Sequence, residues 1–100
     1  MKVDRWTYPI KPGFQDEAVK MLKEAIEGNT VFKNAYRIYT SDIGPRHMVV
    51  VEWEYKDLQE MRFVWDTWLA KSSTPEFLEK WNKMVEGGGN REVWDLTEQR

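Results

Sequence analysis

RHMVVVEWEY, residues Arg46–Tyr55, is the stretch whose reading decides the fold. It is rich in β-branched and aromatic residues, and apolar side chains occupy both phases of its two-residue repeat. That composition predicts a strand over 46–55 that is covered on two sides. Immediately after it the period changes. In KDLQEMRFVWDTWLAKSSTPEFLEKW, residues 56–81, Trp65, Trp68 and Trp81 recur at helical spacing. A chain of 100 residues can cover one face of a small sheet with its own helices, but not both. The second face therefore predicts self-association.

Working outward, Val3–Ile10 alternates, with Trp6, Tyr8 and Ile10 on one face and Arg5 and Thr7 on the other. Pro9, Pro12 and Gly13 end this strand, because proline cannot donate to a ladder. From Phe14 the spacing turns helical, with Phe14, Ala18, Met21, Leu22, Ala25 and Ile26 forming one stripe. Gly28-Asn29 reads as a stop with a left-handed cap. Ala35–Ser41 alternates again, setting Tyr36 and Ile38 against Arg37 and Tyr39. The turn Asp42–Pro45 then leads into 46–55 as an antiparallel hairpin.

Asp57 and Glu60 form an approximate capping box. Leu58, Met61, Trp65, Trp68 and Leu69 are the expected buried stripe of the helix that follows. Lys71–Glu76 interrupts it, and Thr74 with Pro75 predicts an N-cap and first-turn proline. Phe77, Leu78, Trp81, Met84 and Val85 point inward on the next helix, which Gly87–Gly89 is expected to end. Arg91–Thr97 closes the chain as a strand, with Val93 and Asp95 opposite Trp94 and Leu96. The order β-α-β-β-α-α-β is the split βαβ pattern of an α+β, ferredoxin-like antiparallel sheet with a broken second helix. One domain spans 1–100.

Composition narrows the function. The net charge is −2 and the pI near 5.4, with basic and acidic residues interspersed, which argues against nucleic-acid binding. The chain has no cysteine, so disulfides, thiolate metal sites and a cysteine nucleophile are excluded. No 18-residue apolar span or signal-peptide core occurs, and the expectation is a cytoplasmic protein that does not contact membranes. The glycine triplet precedes a strand and offers no helix N-terminus to a phosphate.

The order of elements and the placement of aromatics resemble a known family over nearly the whole chain. The resemblance is carried by the opening strand with Pro-Gly before an amphipathic helix, by VVVEWEYKDLQEM, by Thr-Pro-Glu-Phe and Lys-Trp, and by the closing REVWDL. It points to the dimeric α/β-barrel superfamily, and within it to antibiotic-biosynthesis-monooxygenase-type and NIPSNAP-like domains. The resemblance implies a homodimeric α/β barrel built from two sheets, with a pocket in each protomer between sheet and helices. Its members include cofactor-free oxygenases acting on aromatic polyketides, haem-degrading enzymes, isomerases and proteins of unassigned activity. The haem-degrading members ligate haem through a histidine in the long helical region. Lys56–Gly87 contains none, so haem ligation is not expected.

Six tryptophans in 100 residues supply either core and interface packing or the lining of a pocket for a flat hydrophobic or aromatic small molecule. The candidate pocket residues are Trp65, Tyr39, Arg37, Arg91, Trp68, Trp6, His47 and Glu52. His47 is the sole histidine and could serve as a base if it faced a pocket. Glu52 and Glu54 share a strand face and are either an acid–base pair or partners of Arg5, Arg37 or Arg91. Trp65, Tyr39 and Arg37 or Arg91 match the residue types with which the oxygenase relatives orient a substrate anion. No residue set identifies a reaction, and no metal or cofactor is expected. The reading is a small-molecule-binding homodimer, with oxygenase-type turnover as its enzymatic form. The alternative is a non-catalytic dimeric accessory or stress-related module whose tryptophans are core and interface packing.

Overall fold

In the computed structural model, which describes residues 1–100, the elements follow one another as β1 (Lys2–Pro9), α1 (Gln15–Glu27), β2 (Tyr36–Thr40), β3 (Met48–Tyr55), α2 (Leu58–Leu69), α3 (Thr74–Met84) and β4 (Asn90–Asp95). The four strands form one antiparallel sheet in the order β2-β3-β1-β4. This is the α+β, ferredoxin-like arrangement that the sequence pattern predicts. None of the three helices is long and apolar enough to cross a membrane.

Register sorts the sheet into two faces. Asp4 opposes Trp53, Trp6 opposes Val51, and Tyr36 and Ile38 oppose Trp53 and Val51. These residues face the helices, and Val49, Val51, Trp53 and Tyr55 of β3 are all buried there. Arg5, Arg37, Glu52 and Glu92 point to the other face, which no helix covers. The core lies in two adjoining clusters. One gathers Ile10, Ala18, Leu22, Val49, Trp81, Met84 and Val85, and the other Ile26, Val51, Trp53, Tyr55 and Val64.

Several local expectations are corrected. The strand expected to begin at Arg46 begins at Met48, because His47 adopts φ 57°, a left-handed conformation that a strand cannot contain. Gly28 caps α1 at φ −81° and is not left-handed. A side chain there would sit 2.8 Å from the Glu24 carbonyl oxygen, which is why the position suits glycine.

Asp57 caps α2 as expected, its carboxylate accepting from the Glu60 N–H at 2.9 Å. Thr74 is no N-cap. It is buried, and its hydroxyl donates to the Trp68 carbonyl at 2.5 Å, tying the start of α3 to the end of α2. The stripe of α2 is rotated from the expected one. Val64 and Trp68 are buried, whereas Leu58 is 47% and Leu69 58% exposed. Helix α3 ends before the glycines, where Val85 turns extended (ψ 136°) and bridges to Ile10.

Candidate functional site

Three short spacings put aromatic rings on the inner side of the sheet and its helices. Trp6 and Tyr8 are two apart on β1, so both face the helices. Trp65 and Trp68 are three apart on α2, and Phe77 and Trp81 four apart on α3, so each pair shares a helix face. The six rings close a circuit. Trp6 stacks on Tyr8 at 6.1 Å, and Tyr8 meets Trp81 edge-on at 5.0 Å. Trp81 stacks on Phe77 at 5.9 Å, and Phe77 meets Trp68 at 5.7 Å. Trp68 meets Trp65 at 5.4 Å, and Trp65 returns to Trp6 at 5.4 Å.

All six border a cavity of about 270 Å³, closed further by Trp53, Phe32, Leu22, Ala25 and Ile26, with the half-buried Leu78 and the exposed Leu69 at its edge. Arg91 is the one polar residue in this lining. Its guanidinium lies 4.8 Å from the Trp6 ring centroid and 5.8 Å from that of Trp65, within cation–π range.

Arg91 is held by Asp4. Its Nε and Nη2 each donate at 2.9 Å, one to each carboxylate oxygen, and the Trp65 indole N–H donates to Oδ2, also at 2.9 Å. Asp4 is fully buried, yet three donors satisfy it, as a buried carboxylate requires. The pair locks the rotamers of Arg91 and Trp65 and so fixes one wall of the cavity. The hydrogen bond from Arg91 to Asp4 pushes the arginine further up from its ordinary value. Burial, then the charge of Asp4, drives the hydroxyls of Tyr8 and Tyr55 well above the ordinary tyrosine range, so both are neutral phenols at physiological pH. The indole N–H groups of Trp6 and Trp53 and the hydroxyl of Tyr55 are buried without a hydrogen-bond partner. Orphaned polar groups of this kind are uncommon, and two of the three belong to the cavity wall.

The structure separates the sequence candidates into two groups. Trp6, Trp65, Trp68 and Arg91 meet at the cavity. Arg37, Tyr39 and Glu52 lie together on the uncovered face of the sheet. There Glu52 accepts from Arg5 at 2.6 Å, from the Tyr39 hydroxyl at 3.0 Å and from Arg37 at 3.4 Å. Burial pushes the Glu52 carboxyl up, but the hydrogen bonds from Arg5 and Tyr39 and the charge of Arg5 outweigh it and hold it below the ordinary range. Glu52 is thus an ion-pair partner of Arg5 and Arg37. Arg91, opposite Trp6 in the register, projects to the other side of the sheet and takes no part in that pairing. His47 sits exposed in the β2–β3 turn, with both groups elsewhere.

Asp4 and Phe32 are parts of this arrangement that sequence reasoning missed. Asp4 carried a readable signal, since it is a charge in the same strand phase as Trp6 and Tyr8. Phe32, which packs within 6.0 Å of Trp53, Trp65 and Trp68, lies in the irregular segment before β2 and carried none. No group of three or more side chains is arranged to hold a metal ion.

Among solved structures, the chain is similar to a NIPSNAP domain protein from Burkholderia xenovorans, with TM-score 0.82 and 22% identity over 95% of this chain and 93% of that one. It is similar as well to a NIPSNAP family protein from Agrobacterium tumefaciens, with TM-score 0.83 and 21% identity over 97% and 93% of the two chains. An antibiotic biosynthesis monooxygenase shares the fold at TM-score 0.71 and 17% identity, over 98% of this chain and 100% of that one. No curated protein matches the sequence. The NIPSNAP family model matches residues 4–91, from the buried Asp4 to the Arg91 that holds it. With that match covering most of its length, the chain belongs to the NIPSNAP family.

Proposed function

We propose that this NIPSNAP domain is a small-molecule-binding homodimer, and that its ligand is a flat apolar molecule of one or two rings. The observation that carries the reading is the closed circuit of six aromatic rings around the 270 Å³ cavity. An apolar cavity of about 150 Å³ accepts benzene, so this one suits a bicyclic molecule. Only two of the five N–H groups of Arg91 are committed to Asp4. The free ones give such a ligand a place for a hydrogen-bond-accepting oxygen. The Arg91–Asp4 pair is neutral as a unit, which favours a carbonyl over a carboxylate.

The fold is shared with a monooxygenase, yet the geometry favours binding over turnover. An oxygenase that uses its substrate's own anion needs a base to take the proton. Both oxygens of Asp4 are already engaged by the Arg91 and Trp65 donors, and it is not in the cavity lining. The uncovered sheet face supports the homodimer. It carries Trp94 at 53% and Tyr39 at 45% exposure, and a two-fold pair is the commonest way to bury such a face. A chain free of cysteine suits the reducing cytoplasm.

Tryptophan fluorescence tests the cavity, with 2-acetylnaphthalene as probe. Saturable quenching is expected, and Ala25→Phe, which fills the cavity from α1, should abolish it while preserving the fold. Absence of any saturable response would mean that the rings serve only as packing, the reading of a non-catalytic module. Native mass spectrometry tests the assembly, with a species near twice 12.0 kDa expected.

A further inference from the structure

Helices α1 and α3 face each other across an open groove of about 690 Å³. Its floor is apolar, with Phe14, Met21 and Ala25 from the α1 side and Phe77 and Met84 from α3. Their spacings of four and seven residues put each set on one helix face. The two helices run antiparallel. Just before α1, the Lys11 N–H donates to the carbonyl of Met84, the last residue of α3, at 2.8 Å. Just after α1, Gly28 and Asn29 share a hollow with Ser73 and Thr74, where α3 begins.

Ala25 and Phe77 line both this groove and the aromatic cavity. The two spaces therefore have a common wall, and one of its two side chains is only a methyl group. Its placement gives it a direction. In the circuit of six rings, Phe77 is three links from Trp6 whichever way the circuit is followed. Trp6 is the ring under the Arg91 guanidinium. A flat ligand with its oxygen at Arg91 thus points its opposite edge at Ala25 and Phe77.

The groove is polarised along its length. Toward the start of α1 and the end of α3 its rim carries Lys20, Lys80 and Lys83, against the single carboxylate of Glu17. Toward the other end it carries Glu24 and Glu76. Lys20 takes part in none of the seven salt bridges of the chain. Lys80 and Lys83 hold Glu76 and Glu79 at 3.1 and 4.0 Å, in exposed pairs one helical turn long. Such pairs are weak and yield readily to a competing anion.

From this we infer that the groove is the outer half of the ligand site and that the ligand is an amphiphile. Its flat ring occupies the cavity, an aliphatic arm leaves past Ala25 and Phe77 to lie on the groove floor, and a terminal carboxylate meets Lys20, Lys80 and Lys83. The inference rests on the cavity reading proposed above and adds the rest of the molecule. Lys83 lies six residues beyond Phe77, about 9 Å along a helix. Three atoms of an extended chain span about 3.5 Å, so the arm is about eight atoms long. Phe14, at the far end of the floor, is 39% exposed, apolar surface that such an arm would cover.

Two acids of nearly equal size, differing in where the arm is attached, test this by tryptophan fluorescence titration. In 8-(6-acetylnaphthalen-2-yloxy)octanoic acid the arm leaves the ring opposite the ketone. In 9-(naphthalen-2-yl)-9-oxononanoic acid it grows from the ketone itself, at the Arg91 end. The first should bind at least tenfold more tightly than 2-acetylnaphthalene, and the second should gain less than threefold. Lys20→Gln/Lys83→Gln, which changes two exposed side chains, should weaken the first acid at least fivefold and leave 2-acetylnaphthalene within twofold of wild type. If neither 2-acetylnaphthalene nor either acid gives a saturable response, the cavity reading and this inference fall together. If 2-acetylnaphthalene binds but neither acid gains over it, or both gain equally, the inference alone is overturned. The same holds if the lysine variant binds the first acid as tightly as wild type does.

Discussion

Arg91 on β4 donates two hydrogen bonds, each 2.9 Å long, to the two oxygens of Asp4 on the adjacent strand β1. The partners are unequally placed, since the Asp4 side chain is fully buried and that of Arg91 is 35% exposed. This asymmetry decides which loss costs more. Arg91→Met strands a buried carboxylate and should destabilise the fold by about 3–5 kcal/mol. Asp4→Asn leaves a cation that can turn to water, and should cost about 1.5–3 kcal/mol for the lost charge-assisted bonds. The double variant Asp4→Asn/Arg91→Met should recover part of the larger loss. Urea denaturation of the three variants reads this directly, and equal costs for the two single changes would count against the burial argument.

Tyr55 illustrates the opposite case. Its hydroxyl is buried with no hydrogen-bond partner, and an unpaired buried polar group costs about 1–3 kcal/mol. Tyr55→Phe, which keeps the ring and deletes the orphan, should be neutral or stabilising by about 1 kcal/mol. The same residue governs alkaline behaviour. Burial, and after it the charge of Asp4, raises Tyr8 and Tyr55 above the ordinary value of 10.0. Above pH 10 the unfolded chain loses protons that the folded chain keeps, so stability falls as pH rises. Each group contributes a slope of about 1.4 kcal/mol per pH unit. Tyr55→Phe should remove one group's share of the alkaline slope and leave it shallower, as followed by urea midpoints across the alkaline range.

Both effects depend on contacts that the sequence did not show. The element order, and the two faces of every strand, were legible, because a two-residue period assigns a side chain to a face without knowledge of its neighbour. Pairing was not. Asp4 and Arg91 are 87 positions apart, and only the β1–β4 register makes them adjacent. The same gap explains why Arg37, Tyr39 and Glu52 were grouped with Trp65 and Trp68, although the sheet itself lies between them. The rings at 6 and 8, 65 and 68, and 77 and 81 were visible as local spacings. Their closure into one circuit depends on how α2 and α3 sit over β1, which involves chain separations that no local period encodes. Leu58 and Leu69 fit a helical stripe on paper, but the side of α2 that packs on β3 is set by Val64 and Trp68.

Glu52 links the uncovered face to acid stability. Burial raises its carboxyl, and the hydrogen bonds from Arg5 and Tyr39 lower it further than burial raises it, leaving it below the ordinary value of 4.5. A group depressed in the folded state stabilises it above that ordinary value, and the contribution is lost as pH falls through the folded value. Acid unfolding should therefore begin below about pH 4.5 as Glu52 is protonated. In Glu52→Gln the acid limb of the stability curve should be shallower, and stability at neutral pH lower. An unchanged acid limb in that variant would assign the acid sensitivity to other carboxylates.

Gly89 offers a test of the cavity wall from outside the cavity. A methyl group at this position would lie 2.7 and 2.8 Å from two ring carbons of Tyr8, closer than any real contact, so the ring must move. Tyr8 is not free to move, because its ring stacks on Trp6 and stands edge-on to Trp81 at 5.0 Å. Overpacking of a constrained site costs about 1–3 kcal/mol, and Gly89→Ala should lose stability in that range. The displaced ring would also disturb two of the six links in the aromatic circuit, so the affinity for 2-acetylnaphthalene should fall. Tyr8→Leu removes the ring that clashes. In that background, Gly89→Ala should cost less than half as much, as measured by a double-mutant cycle. If the cost is the same in both backgrounds, the glycine is required by the turn before β4, and the Tyr8 ring plays no part in the requirement.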